Sequence, residues 1–216
     1  MSKINNYNNE NELNITEGEF LVNLARKAIS NYLSEDKMIK PPEDTPASLN
    51  EKLGVFVTLK NYSSGELRGC IGFPEPIQIL AKATITSAIE AATGDPRFPQ
   101  VTLKELEEDI TVEISVLTTP KEITTEPKNI PENISIGTDG LIIEKGLQRG
   151  LLLPQVAVEW KWDQEEFLVN CCLKAGLPPD SWLLNDSKVF TFKATIFRER
   201  SPKGIVEKVL QEKEPQ

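Results

Sequence analysis

Residues 55–73 read VFVTLKNYSSGELRGCIGF, and how they pair decides the fold. Val55 to Lys60 alternates apolar and polar side chains, as a half-buried strand does. Asn61 to Glu66 is turn chemistry, with Ser-Ser-Gly at its centre. The strand should therefore return antiparallel through Leu67-Arg-Gly-Cys-Ile-Gly-Phe73 as a hairpin. Successive side chains on a strand point to opposite faces. That spacing puts Arg68 and Cys70 on one face and Leu67, Ile71 and Phe73 on the other. Gly69 and Gly72 bare the backbone on either side of Cys70. Glycine within a strand marks a bulge, or a place where a ligand or another backbone comes close. A thiol beside a guanidinium is also the setting that favours a thiolate.

Outward from the hairpin, helices and strands mix without regular βαβ alternation. Thr16 to Leu33 is expected as a helix, capped by Thr16 with Glu19 closing a capping box and Ile15 and Phe20 as its staple. Lys40 to Pro46 holds three prolines and is expected as a linker or lid. Pro76 to Thr93 reads as a helix of small residues, ending in the rigid loop Gly94-Asp-Pro-Arg-Phe-Pro99. Thr102 and Glu105 form a second capping box, and Ile110 to Leu117 alternates cleanly. Ile134 to Ile136 and Leu141 to Glu144 are expected to pair as a second hairpin. Gly146 to Gly150 reads as a basic loop. Asp163 with Glu166 starts another helix, which Gly176 stops. Val189 to Arg198 is the last long strand. This pattern predicts an α+β fold with a mostly antiparallel sheet flanked by helices. Residues 1–15 are expected to be a flexible start, 16–200 one domain of two lobes, and 201–216 a charged tail, helical or disordered.

Composition narrows the function. The chain has 216 residues, 39% of them hydrophobic, enough for one core or for one domain with a smaller lobe. No apolar run approaches the ~20 residues of a membrane span, and the Asn-rich start has no leader pattern. A net charge of -9 argues against a general nucleic-acid or anionic-membrane binder. Histidine is absent, which removes Ser-His-Asp and Cys-His arrangements and His-based metal sites. The cysteines, Cys70, Cys171 and Cys172, are odd in number and form no CxxC, so a reducing cytoplasm is expected and a zinc site or disulfide framework is not. No cofactor fingerprint occurs: neither G-x-x-x-x-G-K-[ST] nor G-x-G-x-x-G matches.

The candidate site gathers around Cys70. As a catalytic set, Cys70 would be the nucleophile, Arg68 the cation beside it and Asp95 the base, with Glu113 and Glu159 as other carboxylates. Arg68, Arg97 and Arg149 could converge on an anion, with Gly69 and Gly150 adding backbone donors and Gln155 orienting the ligand. Gly69, Gly72, Arg97, Arg149, Gln155 and Glu159 are thus the substrate-binding candidates. The competing reading makes Cys70 a small packing residue in a tight hairpin, and makes the arginines ordinary ion-pair partners. Cys171 and Cys172 lie mid-helix, where core packing explains both.

Several segments in order carry a family resemblance: Leu67-Arg-Gly-Cys-Ile-Gly72, Asp95-Pro-Arg-Phe98, Gly150-Leu-Leu-Leu-Pro-Gln-Val-Ala157, and Trp162 to Trp182 with Cys172 and Lys174-Ala-Gly-Leu177. The chain resembles the AMMECR family, named for the human chromosomal region behind a syndrome of Alport nephropathy, midface hypoplasia and elliptocytosis. The likeness spans roughly residues 16–200. It implies an α+β fold with a larger and a smaller lobe, and a biochemical activity that is not established. It also implies companions in a shared pathway, a Memo-like protein and a radical-SAM protein. Two functions follow as expectations. One is an enzyme or ligand-binding protein with a cleft for a small anionic or modified substrate. The other is a non-catalytic adaptor that docks the Memo-like partner.

Overall fold

The computed structural model describes residues 13–209. The chain runs α1 (Ile15–Glu35), β1 (Gly54–Asn61), β2 (Leu67–Phe73), α2 (Leu80–Thr93), α3 (Leu103–Glu108), β3 (Ile110–Leu117), β4 (Lys121–Glu122), β5 (Asp139–Lys145), β6 (Gln148–Leu152), α4 (Pro154–Trp160), α5 (Gln164–Lys174), β7 (Lys188–Glu199) and β8 (Val206–Val209). The hairpin forms as its alternation dictates, with Val55 opposite Phe73 and Thr58 opposite Cys70. It opens one antiparallel sheet of order β2-β1-β3-β7-β5-β6, with β4 and β8 also on β7.

The long strand β7 serves two lobes. Its Ala194–Glu199 end pairs with β3 and β8, and its Lys188–Lys193 end with β5 and β4. In the larger lobe, α1 and α2 cover one face of the sheet and bury Leu21, Ile29, Val57, Leu59, Ile85 and Ile114. In the smaller, α5 covers β5 and β6 and buries Leu141, Ile143, Phe167, Leu168, Cys171 and Cys172. A third apolar cluster of Phe56, Leu117, Ile142, Leu151, Phe192 and Ile196 joins the lobes. By strand alternation, Phe56 and Ile142 face away from those helices. The fold is α+β with a larger and a smaller lobe.

Several boundaries differ from the sequence expectation, each for a physical reason. The first helix is capped by Asn14, which accepts from the Glu17 N–H, while Glu17 takes the Asn14 N–H in return. Asn-x-x-Glu fits a capping box as well as Thr16 with Glu19, and asparagine is at least as good a cap as threonine. α2 starts at Leu80 rather than Pro76, because Ile79 is extended and bridges to Lys52. Ile134 to Ile136 is not a strand. β5 instead returns through β6 at Gly146, whose φ of +61° suits glycine, so most of the expected basic loop is sheet. Part of the tail, Val206–Val209, pairs with β7 rather than forming a helix. The expectations for residues 1–12 and 210–216 lie outside the described residues.

One buried ion pair ties α1 to the sheet. Arg26, 8% exposed, donates through Nε to Glu199 Oε1 at 2.5 Å and through Nη2 to Glu199 Oε2 at 2.6 Å. Its other N–H groups reach the carbonyls of Leu106 and Ile110, and Glu199 also takes the Val112 N–H. Removing one partner of such a pair leaves a buried charge, at a cost of about 3–5 kcal/mol. Glu199→Gln should lower the unfolding free energy by about that much in urea denaturation. A loss below about 1 kcal/mol, the worth of a surface pair, would show that Arg26 reaches water.

Candidate functional site

β2 is an edge strand, so alternate backbone groups on it lack a ladder partner. At Cys70 those groups are covered. The Cys70 N–H donates to Asp95 Oδ2 at 2.9 Å, and the Cys70 carbonyl accepts from Arg97 Nη2 at 3.4 Å. α2 delivers the clamp: it ends at Thr93, Gly94 caps it, and Asp95 follows at once. Asp95 Oδ1 accepts from the Arg97 backbone N–H at 3.1 Å and from Arg97 Nε at 2.9 Å, and Oδ2 accepts from Nη2 at 2.7 Å. The carboxylate is 4% exposed. The Arg97 guanidinium holds its carboxyl far below the usual carboxylate range. Burial opposes that shift, and the N–H groups of Cys70 and Arg97 reinforce it. A group so committed holds the loop and takes no proton at neutral pH.

Arg97 keeps one free side. Asp95 raises its pKa, and the Cys70 side chain adds a smaller push in the same direction. Its side chain is 54% exposed, and the guanidinium lies 5.4 Å over the Phe98 ring. Among the described residues nothing accepts from its Nη1. Cys70 is half-buried, and its sulfur accepts from the Thr58 hydroxyl at 3.4 Å. The outward N–H and C=O make Thr58 and Cys70 a non-hydrogen-bonded pair, the arrangement in which opposed side chains come closest. Thr58 is the part of the site that sequence reading missed, although its place opposite Cys70 follows from the hairpin register.

The other candidates lie elsewhere. A bulge between Leu59 and Lys60 leaves Arg68 without a β1 partner, and this breaks the alternation expected to put Arg68 beside Cys70. Arg68 instead donates to the Pro99 and Gln100 carbonyls and to Glu105 Oε1. It is 8% exposed and pins the loop from α2 to α3. Arg97 is the guanidinium at the Cys70 side. Gly69 and Gly72 do admit close approach, but by protein. A Cβ at Gly69 would sit 2.1 Å from the Ala91 carbonyl oxygen, and one at Gly72 would sit 2.4 Å from the Phe56 ring and the Val55 carbonyl. Arg149 pairs with Glu144 at 3.0 Å and with Glu75, linking β6 to the segment after β2. The three arginines therefore have separate carboxylate partners. Gln155 is half-buried on α4, with Oε1 enclosed and without a hydrogen-bond partner among the described residues, and Glu159 is exposed on the same helix. No hydrogen bond or ion pair joins either to Cys70. Glu113 lies two strands from Cys70, paired with Lys60 at 3.2 Å.

Cys171 and Cys172 are core residues. Burial pushes the Cys171 thiol up to about 12, and burial raises Cys172 as well. The described residues bring no three of His, Cys, Asp and Glu together as a metal site. No described helix is long and apolar enough to cross a membrane.

The fold and site define a two-lobed α+β protein with a half-buried thiol on a clamped edge strand. The sequence model of the AMMECR1 family matches residues 22–197, and the chain belongs to that family. A protein of Thermococcus gammatolerans is 59% identical over 192 residues, spanning 88% of this chain and 93% of its own. A protein of Methanopyrus kandleri is 54% identical over 198 residues, spanning 90% and 94%. The crystal structure of the uncharacterised protein PH0010 from Pyrococcus horikoshii superposes with a TM-score of 0.85 at 55% identity, covering 91% of this chain and 98% of that one.

The depressed Asp95 carboxyl fixes a pH dependence. Its stabilisation is complete above the unfolded value of about 3.9 and is lost as pH falls below it towards the native value. Asp95→Asn should cost about 1.5–3 kcal/mol at pH 7, from lost charge-assisted bonds, and should flatten the acid limb of stability below about pH 4. Urea melts of both proteins from neutral to acid pH check this. An unchanged acid limb would remove Asp95 from the clamp.

Proposed function

We propose that the protein binds a small anionic substrate at the Arg97–Cys70 face and uses Cys70 as a nucleophile. The observation that carries this is the pairing of an arginine whose Nη1 is free with a half-buried thiol on the same short strand edge. Arg97 takes the anionic group, with its orientation fixed by Asp95. Thr58 donates to the sulfur and so fixes its direction. After the thiol proton has passed to solvent, the sulfur adds to a carbonyl carbon of the bound anion: the S–C bond forms as the C=O π bond breaks, and the oxygen takes a proton from solvent. We place the protein in the cytoplasm, as its cysteine usage suggests, and in a pathway with Memo-like and radical-SAM proteins, as the family resemblance suggests.

The adaptor reading has its own observation. Trp160 and Val158 on α4 are 67% and 45% exposed, and Leu147 at the β5–β6 turn is fully exposed. Such side chains suit a partner surface. Co-purification of a Memo-like protein with this chain, lost in Trp160→Ala, would support it.

Native protein should be alkylated at Cys70, with Cys171 and Cys172 silent until unfolding, as read by peptide mass spectrometry. The ratio of iodoacetate to iodoacetamide rates at Cys70 should fall about fivefold in Arg97→Gln, the loss of a ~1 kcal/mol interaction with the reagent carboxylate. Arg97→Lys should restore part of it. An inert Cys70, or a ratio indifferent to Arg97, would end this reading.

A further inference from the structure

The face that carries Cys70 continues as a polar row across the sheet. Cys70 stands opposite Thr58, Thr58 opposite Glu113, Glu113 opposite Arg198, and Arg198 opposite Glu207. Neighbouring strands lie ~4.8 Å apart, so Cys70 and Arg198 are separated by ~14 Å along the row. The far end opens into a groove of about 440 Å³, lined by Lys60, Tyr62, Glu113, Arg198, Arg200 and Glu207 among others.

The charges in the groove are arranged to leave donors free. Glu207 accepts from Arg198 Nε at 2.8 Å and from Arg200 Nε at 2.5 Å. One carboxylate thus holds both guanidinium groups by their inner edges, and the two arginines keep it ionised. Among the described residues nothing accepts from the Nη groups of either arginine, and their side chains are 49% and 66% exposed. Lys60 pairs with Glu113. Glu199, which also lines the groove, is committed to Arg26. Lys60, Arg198 and Arg200 therefore outnumber Glu113 and Glu207, on a chain whose net charge is -9.

We infer that this groove is an anion subsite contiguous with Cys70, and that the substrate is elongated, with a second acidic group, carboxylate or phosphate, about 14 Å from its reacting end. The reacting end rests on the function proposed above; the groove does not. Arg198 and Arg200 present planar, paired donors to such a group.

Two readouts on the full chain test it. In the first, inorganic phosphate is titrated at low salt while the backbone amides of residues 60–62, 198–200 and 206–207 are followed by NMR. Saturable shifts that weaken at least fivefold in Arg200→Gln are expected; a linear drift without saturation would overturn the subsite. In the second, iodoacetamide is extended by a flexible chain of matching reach that ends in phosphate, carboxylate or hydroxyl. Cys70 should react about fivefold faster with an acidic end, and added phosphate should abolish the gain. The better of the two acidic ends identifies the group. Saturable phosphate binding without any rate gain would separate the groove from the thiol and overturn the elongated substrate. A Cys70 inert to every reagent would overturn the function proposed above and the substrate's reacting end, and the phosphate titration alone would then decide the groove.

Discussion

One buried carboxylate meets two demands at once. An edge strand must satisfy the backbone groups that no neighbour pairs, and β2 does so through Asp95 and Arg97. The same carboxylate grips Arg97 through both oxygens. Closing the sheet edge and aiming a guanidinium at Cys70 are therefore a single structural event. The position of Asp95, immediately after the glycine cap of α2, makes the helix length part of that geometry. The close contact of Gly69 with the Ala91 carbonyl sets the distance between helix and strand. A side chain there would push α2, and Asp95 with it, away from the edge.

The arginines divide into distinct kinds of work. Arg26 and Arg68 are nearly enclosed and spend their N–H groups on carbonyls and one carboxylate each, so they fix elements in place. Arg149 bridges β6 to the segment after β2. Arg97, Arg198 and Arg200 are gripped on one edge and open on the other. A guanidinium held this way loses little freedom when an anion arrives, which is the condition for binding a charged group from water. All three open arginines border the face that carries Cys70. Among the described residues no helix covers the polar row on that face, whereas the opposite face of β1 and β3 is packed under α1 and α2.

Much of the fold was legible where local chemistry is strong. The β1–β2 hairpin, the alternation of β3, and the capping boxes of Thr102 with Glu105 and Asp163 with Glu166 all formed where their residues predicted. So did the stop at Gly176, which has a φ of +72°. Errors came where two local solutions compete, as with Asn14 against Thr16, or where tertiary pairing decides, as with β6 and β8. The site was legible in part. Cys70, Asp95 and Arg97 were candidates and do meet. Their roles were not legible, because a one-residue bulge redirects Arg68 and because nothing in the sequence shows that the end of α2, read at Thr93, docks on the edge of β2 at Cys70. Asp95 looked like a base, and only its enclosure shows a clamp.

In the proposed function, the Asp95-held guanidinium of Arg97 receives an anion beside the Cys70 sulfur. The most direct measurement is a crystal structure of the native protein carboxymethylated at Cys70 with iodoacetate. The carboxylate of the adduct should lie within hydrogen-bond distance of Arg97 Nη1, with the Asp95 contacts to Cys70 and Arg97 unchanged. A carboxymethyl group turned away from Arg97, or one that fits only after the Asp95 clamp has opened, would contradict it.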